Sequence, residues 1–120
     1  MNTVRKTETK LRPGNFILKE KEAYRITTLS LEEIVKKMHG VEGIPINEDW
    51  IESFGFYYLA STSTTHTYFL KGIQVHLSEG HAQVFYRQRM IDTVYFVHEL
   101  QNLFYTLTSE ELIYRDLQVA

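Results

Sequence analysis

Residues 67–87 read TYFLKGIQVHLSEGHAQVFYR, and their punctuation decides the fold class. Ile73, Val75 and Leu77 alternate with Gln74 and His76, so an extended segment here has one apolar and one polar face. Lys71-Gly72 on one side and Ser78-Glu79-Gly80-His81 on the other are turn-forming. Turns this close together leave no room for the helical crossover that a parallel sheet needs, which disfavours a doubly wound α/β fold. Working outward, residues 67–70 and 84–87 read as neighbouring strands. Residues 56–60, beyond the polar connection 61–65, and residues 90–92 complete an antiparallel meander of four or five strands.

Downstream, the spacing predicts the longest helix over 94–106. At 100° per residue, Phe96, Val97, Leu100, Leu103, Phe104 and Leu107 form one broad apolar stripe, suited to covering a face of the meander. Tyr95, His98, Glu99, Gln101, Asn102 and Tyr105 fall on the opposite side. Ser109-Glu110-Glu111 then turns, and 112–115 reads as a short strand.

Upstream, Pro13-Gly14-Asn15 is a turn signal ahead of Phe16-Ile17-Leu18. The charged tip 19–22 separates that run from 23–28, where Tyr24, Ile26 and Thr28 alternate with Arg25 and Thr27, predicting a β-hairpin. A helix is expected over 31–39, with Ser30 and Glu33 at capping-box spacing and Gly40 as its stop. A shorter one follows Pro45, with Asn47 as N-cap, Glu48 and Asp49 in the first turn, and Trp50, Ile51 and Phe54 on the docking face. The fold class is therefore α+β: an N-terminal β-hairpin and short helices, then the meander packed against a C-terminal amphipathic helix. Residues 1–12 read as a basic flexible arm and 13–120 as a single domain.

Composition narrows the chemistry. The chain has 120 residues, 43% of them hydrophobic, and no cysteine, enough for one core without disulfides and without any thiolate chemistry. No apolar run approaches the ~20 residues that span a bilayer, and the polar first residues lack the apolar centre of a secretory signal. A cytoplasmic protein is the expectation. Net charge is −2, which gives no bulk attraction for nucleic acid or acidic lipid. That charge is unevenly distributed. Arg5, Lys6, Lys10 and Arg12 face only Glu8 in the first twelve residues, a net of +3, and the remainder carries −5.

Three stretches, LRPGNFIL from Leu11, IPINEDWIESFGF from Ile44 and VHELQNLFYTLTSEEL from Val97, occur in an order that resembles a group of small uncharacterised proteins encoded in bacterial genomes, phages and mobile elements. The resemblance implies an order of elements and no activity, so it transfers no catalytic residue. It also implies a glycine after the final Leu-Thr, where this chain has Ser109.

Candidate chemistry is sparse. His98-Glu99 opens like a zincin helix, but the residue four positions after His98 is Asn102 rather than a second histidine. His66, His76 and His81 share the β region, each with a simple structural account. Asp92 is placed to cap the long helix or, less favourably, to orient His98 as a base. No nucleophile elbow or glycine-rich phosphate loop is present, and no catalytic residue, metal or cofactor is expected. Two recognition surfaces stand out instead. Tyr95, His98, Asn102 and Tyr105 make a helix stripe unlike a Lys/Glu coat, fitted either to a protein partner or second copy, or to packing beneath the hairpin. The basic arm (Arg5, Lys6, Lys10, Arg12) with Arg87 and Arg89 is the alternative, a nucleic-acid contact. The expectation is a non-catalytic accessory protein, of phage or mobile-element origin, binding a protein partner or itself.

Overall fold

The computed structural model describes residues 11–19, 21–27 and 41–115. Along the chain run β1 (Phe16–Lys19), β2 (Glu22–Arg25), β3 (Val41–Gly43), α1 (Glu48–Ser53), β4 (Tyr57–Ser61), β5 (His66–Leu70), β6 (Ile73–Ser78), β7 (His81–Tyr86), β8 (Arg89–Val94) and α2 (Val97–Thr108). They form a three-stranded sheet in the order β2-β1-β3 and a five-stranded sheet in the order β4-β5-β6-β7-β8. Every pairing is antiparallel. The molecule is thus α+β, a β-meander packed against a helix, with a small second sheet at the N-terminal end.

The short turns produce the meander as their residue types dictate. Lys71 and Gly72 both take positive φ, 49° and 86°, as do Arg87 and Gln88 at 54° and 67°; this is the backbone that lets a two-residue connection match the twist of its strands. Each turn fixes its register, Leu70 opposite Ile73 and Tyr86 opposite Arg89. Both outer strands are interrupted by an irregularity, between Tyr58 and Ala60 in β4 and opposite Val84/Phe85 in β8. Such bulges twist an edge away from further pairing.

The inward face of the large sheet carries Tyr68, Ile73, Val75, Leu77, Ala82, Val84 and Val94 against Val97, Leu100 and Phe104 of α2 and Ile51 and Phe54 near α1. Each fully buried aliphatic side chain here contributes about 1.5–3 kcal/mol by leaving water. Asn47 caps α1 as expected, its Oδ1 accepting from the Trp50 amide at 3.0 Å. Phe16, Trp50, Phe54 and Tyr114 gather with ring centroids 5.0–6.3 Å apart, closing the seam between the small sheet, α1 and the C-terminal segment.

Several expectations need correction. The long helix begins at Val97 because β8 continues through Val94. Its N-terminal amides are held by Glu99, whose Oε1 accepts from Tyr95 N (2.7 Å) and Phe96 N (3.3 Å). Asp92 does not cap it; the carboxylate takes the amide of its own neighbour Thr93. Residues 112–115 are not a strand: they lie irregularly along the core, with Leu112 buried and the Arg115 amide donating to Ser53 O. The third strand of the small sheet was not anticipated. The helix expected over 31–39 falls outside the described residues, as do Arg5, Lys6 and Lys10. No helix among the described residues is long and apolar enough to cross a membrane.

Candidate interaction surface

The stripe Tyr95, His98, Asn102 and Tyr105 does not form a free surface. The small sheet packs on the side of α2 away from the meander, so both faces of the helix are covered. His98 is 0% exposed. Asn102 belongs to a polar knot: its Oδ1 accepts from Asn15 Nδ2 (2.9 Å) and Arg12 Nε (2.7 Å). Next to it, buried Gln101 accepts from the Phe16 amide and donates to Gly14 O, both at 2.9 Å. Tyr105 is 43% exposed, but the Arg12 guanidinium stands over its ring at 4.8 Å. Tyr95 is 42% exposed, its ring 6.2 Å from that of His81.

Arg12 is therefore part of the folded body rather than the end of an arm. Its guanidinium bonds Asn102 and Glu111, the latter at 2.7 Å, and its amide donates to Asn15. This removes one cation from the nucleic-acid set. Arg87 and Arg89 both lie at the β7–β8 turn, with Arg87 5.2 Å from the Tyr86 ring and Arg89 opposite Tyr86 in register.

The histidines disperse. His66 Nε2 sits 3.1 Å from Glu48 Oε2, beside a cleft of about 680 Å³ whose walls include Asn47, Ser63, Thr64, Ser78 and Glu79. No hydroxyl among the described residues pairs with His66; Thr65 and Ser78 bond each other at 3.2 Å. The pair therefore has a carboxylate and an imidazole but no nucleophile in line. His76 lies on the outward face of β6, bonded to Gln74 at 3.1 Å and against the Phe85 ring at 4.4 Å. His98 is stacked on Phe96, neither ring nitrogen has a partner among the described residues, and burial pulls its pKa from 6.5 down to about 4. Among the described residues no group of three His, Asp or Glu side chains can hold a metal ion.

What the helix does not offer, the large sheet does. None of the described elements packs on its outward face, and the register aligns one row across all five strands: Tyr57 opposite Phe69, Phe69 opposite Gln74, Gln74 opposite Phe85, Phe85 opposite Met90. Tyr57 is 67% exposed, Phe69 38% and Met90 47%. The adjoining row places Thr67, His76, Gln83 and Thr93 side by side. No aspartate or glutamate stands in either row, although the chain carries 15 of them. A shallow depression of about 230 Å³ opens between Phe69 and Phe85, floored by Gly72 and Gln74 and rimmed by Arg87.

Large exposed apolar side chains scattered singly are ordinary; a contiguous row free of charge is not. Alternation in β6 marks this face only as polar. The signal was available in the two tight turns, because each fixes which residues stand opposite one another and thereby lines up Phe69 with Gln74 and, through β7, with Phe85.

Comparison of the chain with protein-family models, with curated proteins and with solved structures gave no match.

Proposed function

We propose that the protein is a non-catalytic, cytoplasmic accessory protein that works by binding a protein partner, a second copy of itself included, through the open face of the five-stranded sheet. The observation that carries this reading is the row Tyr57, Phe69, Gln74, Phe85 and Met90, aligned by register and without a carboxylate, in which Tyr57, Phe69 and Met90 are exposed and Gln74 and Phe85 half-buried. Aromatic residues and methionine are enriched at the centre of interfaces, and charged ones are depleted there. The resemblance to small phage- and mobile-element-encoded proteins, none with an established activity, fits an accessory role. A nucleic-acid reading through the basic residues is less well supported, since Arg12 is committed to Asn102, Glu111 and Tyr105.

Site-specific photocrosslinking in cells tests the reading. A photoreactive phenylalanine analogue at position 85 is expected to give discrete protein adducts, and the same analogue at Tyr105 or Ile113, exposed on other surfaces, is expected to give none. Adducts from 105 or 113 but not from 85 would overturn the assignment of the face.

A further inference from the structure

We infer that the occupant of the open sheet face is a second copy of this chain, packed face to face about a two-fold axis running along β6. This inference rests on the reading of that face as the binding surface. Three observations support the step from partner to self. The two aligned rows hold aromatic, aliphatic, amide, hydroxyl and imidazole side chains but no carboxylate, so two copies meet without the like-charge repulsion that a net charge of −2 would otherwise impose on self-contact. A nucleic acid would instead require cations across the face, and neither row contains one; Arg87 stands at the rim of the depression.

The second observation is symmetry. The five-stranded sheet has β6 at its centre, with Phe69 one strand to one side of Gln74 and Phe85 one strand to the other. Tyr57 and Met90 stand one strand further out. A two-fold axis along β6 exchanges the two sides. It sets Phe69 against Phe85 of the second copy, Phe85 against its Phe69, and Tyr57 against its Met90. Gln74 then meets Gln74 on the axis. Aromatic faces aromatic in the middle of the patch, and amides able to donate and accept face each other at its centre. The aligned packing of two twisted sheets at about 10 Å separation permits this contact.

The third is size. Five strands spaced ~4.8 Å apart and about five residues long present roughly 400 Å² in projection per copy. Two such faces bury roughly 800 Å² in all, below the ~1,200 Å² of stable specific interfaces and among transient encounters, so the dimer forms weakly and reversibly, in the micromolar to sub-millimolar range. The bulged outer strands discourage edge-to-edge growth, which leaves a closed pair rather than a fibre.

Sedimentation velocity of the full chain from roughly 5 to 500 µM, spanning that range, is the test. The unaltered protein is expected to shift from monomer to dimer. Phe69→Lys alone and Phe85→Glu alone are expected to remain monomeric at every concentration, with circular dichroism reporting the fold. Mixed one to one they are expected to dimerise again, because the axis along β6 sets Lys at 69 of one chain against Glu at 85 of the other and leaves a Phe85–Phe69 contact on the opposite side. Failure of the mixture to associate, when each variant is folded, overturns the arrangement. An unaltered protein that stays monomeric at 500 µM overturns self-association. The broader reading then stands or falls on whether position 85 crosslinks a different protein. Binding of a fluorescent thymidine oligonucleotide that Phe85→Glu abolishes would also overturn it and would put single-stranded nucleic acid on the face.

Discussion

His98 gives the sharpest prediction, because the fold places a titratable ring where neither protonation state is well served. The side chain is fully buried, its ring is stacked on Phe96 at 5.9 Å, and neither nitrogen has a hydrogen-bond partner among the described residues. Burial lowers its pKa from 6.5 to about 4, so the folded protein holds it neutral. Above pH 6.5 the ring is neutral in both folded and unfolded chains and contributes no pH dependence. As pH falls below 6.5 the unfolded chain takes up a proton that the folded one refuses, and stability drops until the folded pKa is reached. At 1.36 kcal/mol per pH unit, the loss reaches about 3 kcal/mol by pH 4, a large share of the roughly 5–15 kcal/mol by which a domain is stable. Replacement by leucine, similar in volume, removes this proton-linked term along with two unpaired buried nitrogens, and is expected to add about 1 kcal/mol even at pH 7.5. Urea unfolding of the unaltered protein and of His98→Leu at pH 7.5, 6.5, 5.5 and 4.5 is the assay. All other side chains are common to the two proteins, so the difference between the two curves isolates His98. That difference should widen steadily below pH 6.5. Parallel curves across the whole range would refute the reasoning.

Three further outcomes follow from contacts already described. Gln101→Ala strands the Phe16 amide and the Gly14 carbonyl, each costing about 1–3 kcal/mol when buried and unpaired, so its urea midpoint should fall well below that of Asn102→Ala if the knot is centred on Gln101. At Gly43 a Cβ would stand 2.6 Å from the Phe96 ring; Gly43→Ala is expected to cost about 1–3 kcal/mol by overpacking, with the loss reduced in a Gly43→Ala/Phe96→Leu double variant. Ser109 closes α2 in the left-handed region, φ 65°, and Ser109→Gly is expected to raise the melting temperature, by relieving about 1 kcal/mol of backbone cost.

The elements were legible in the sequence wherever punctuation and period agreed. Lys71-Gly72 and Ser78 to His81 fixed the meander, and Asn47 ahead of Glu48 and Asp49 fixed α1, because turns and caps are local chemistry. Burial on the second face of α2 was not legible. Periodicity reports one apolar stripe, yet Gln101 and His98 are as buried as Leu100, since polar side chains are admitted to the interior once a specific partner or a stacked ring receives them. Gly14-Asn15 and Gln101-Asn102 stand in separate quoted motifs, and only the fold shows that they meet. The open face was hidden for the opposite reason: alternation marks a polar side without saying that its apolar members fall into register with one another.

Concentration-dependent amide NMR spectra address the central claim most directly, since they read every backbone position at once. Between roughly 20 and 500 µM, a range that brackets weak association, the account predicts progressive shifts confined to the sheet rows around Tyr57, Phe69, Gln74, His76, Phe85 and Met90, with Tyr95, Asn102 and Tyr105 unmoved. Shifts centred on α2 and absent from the sheet would contradict it.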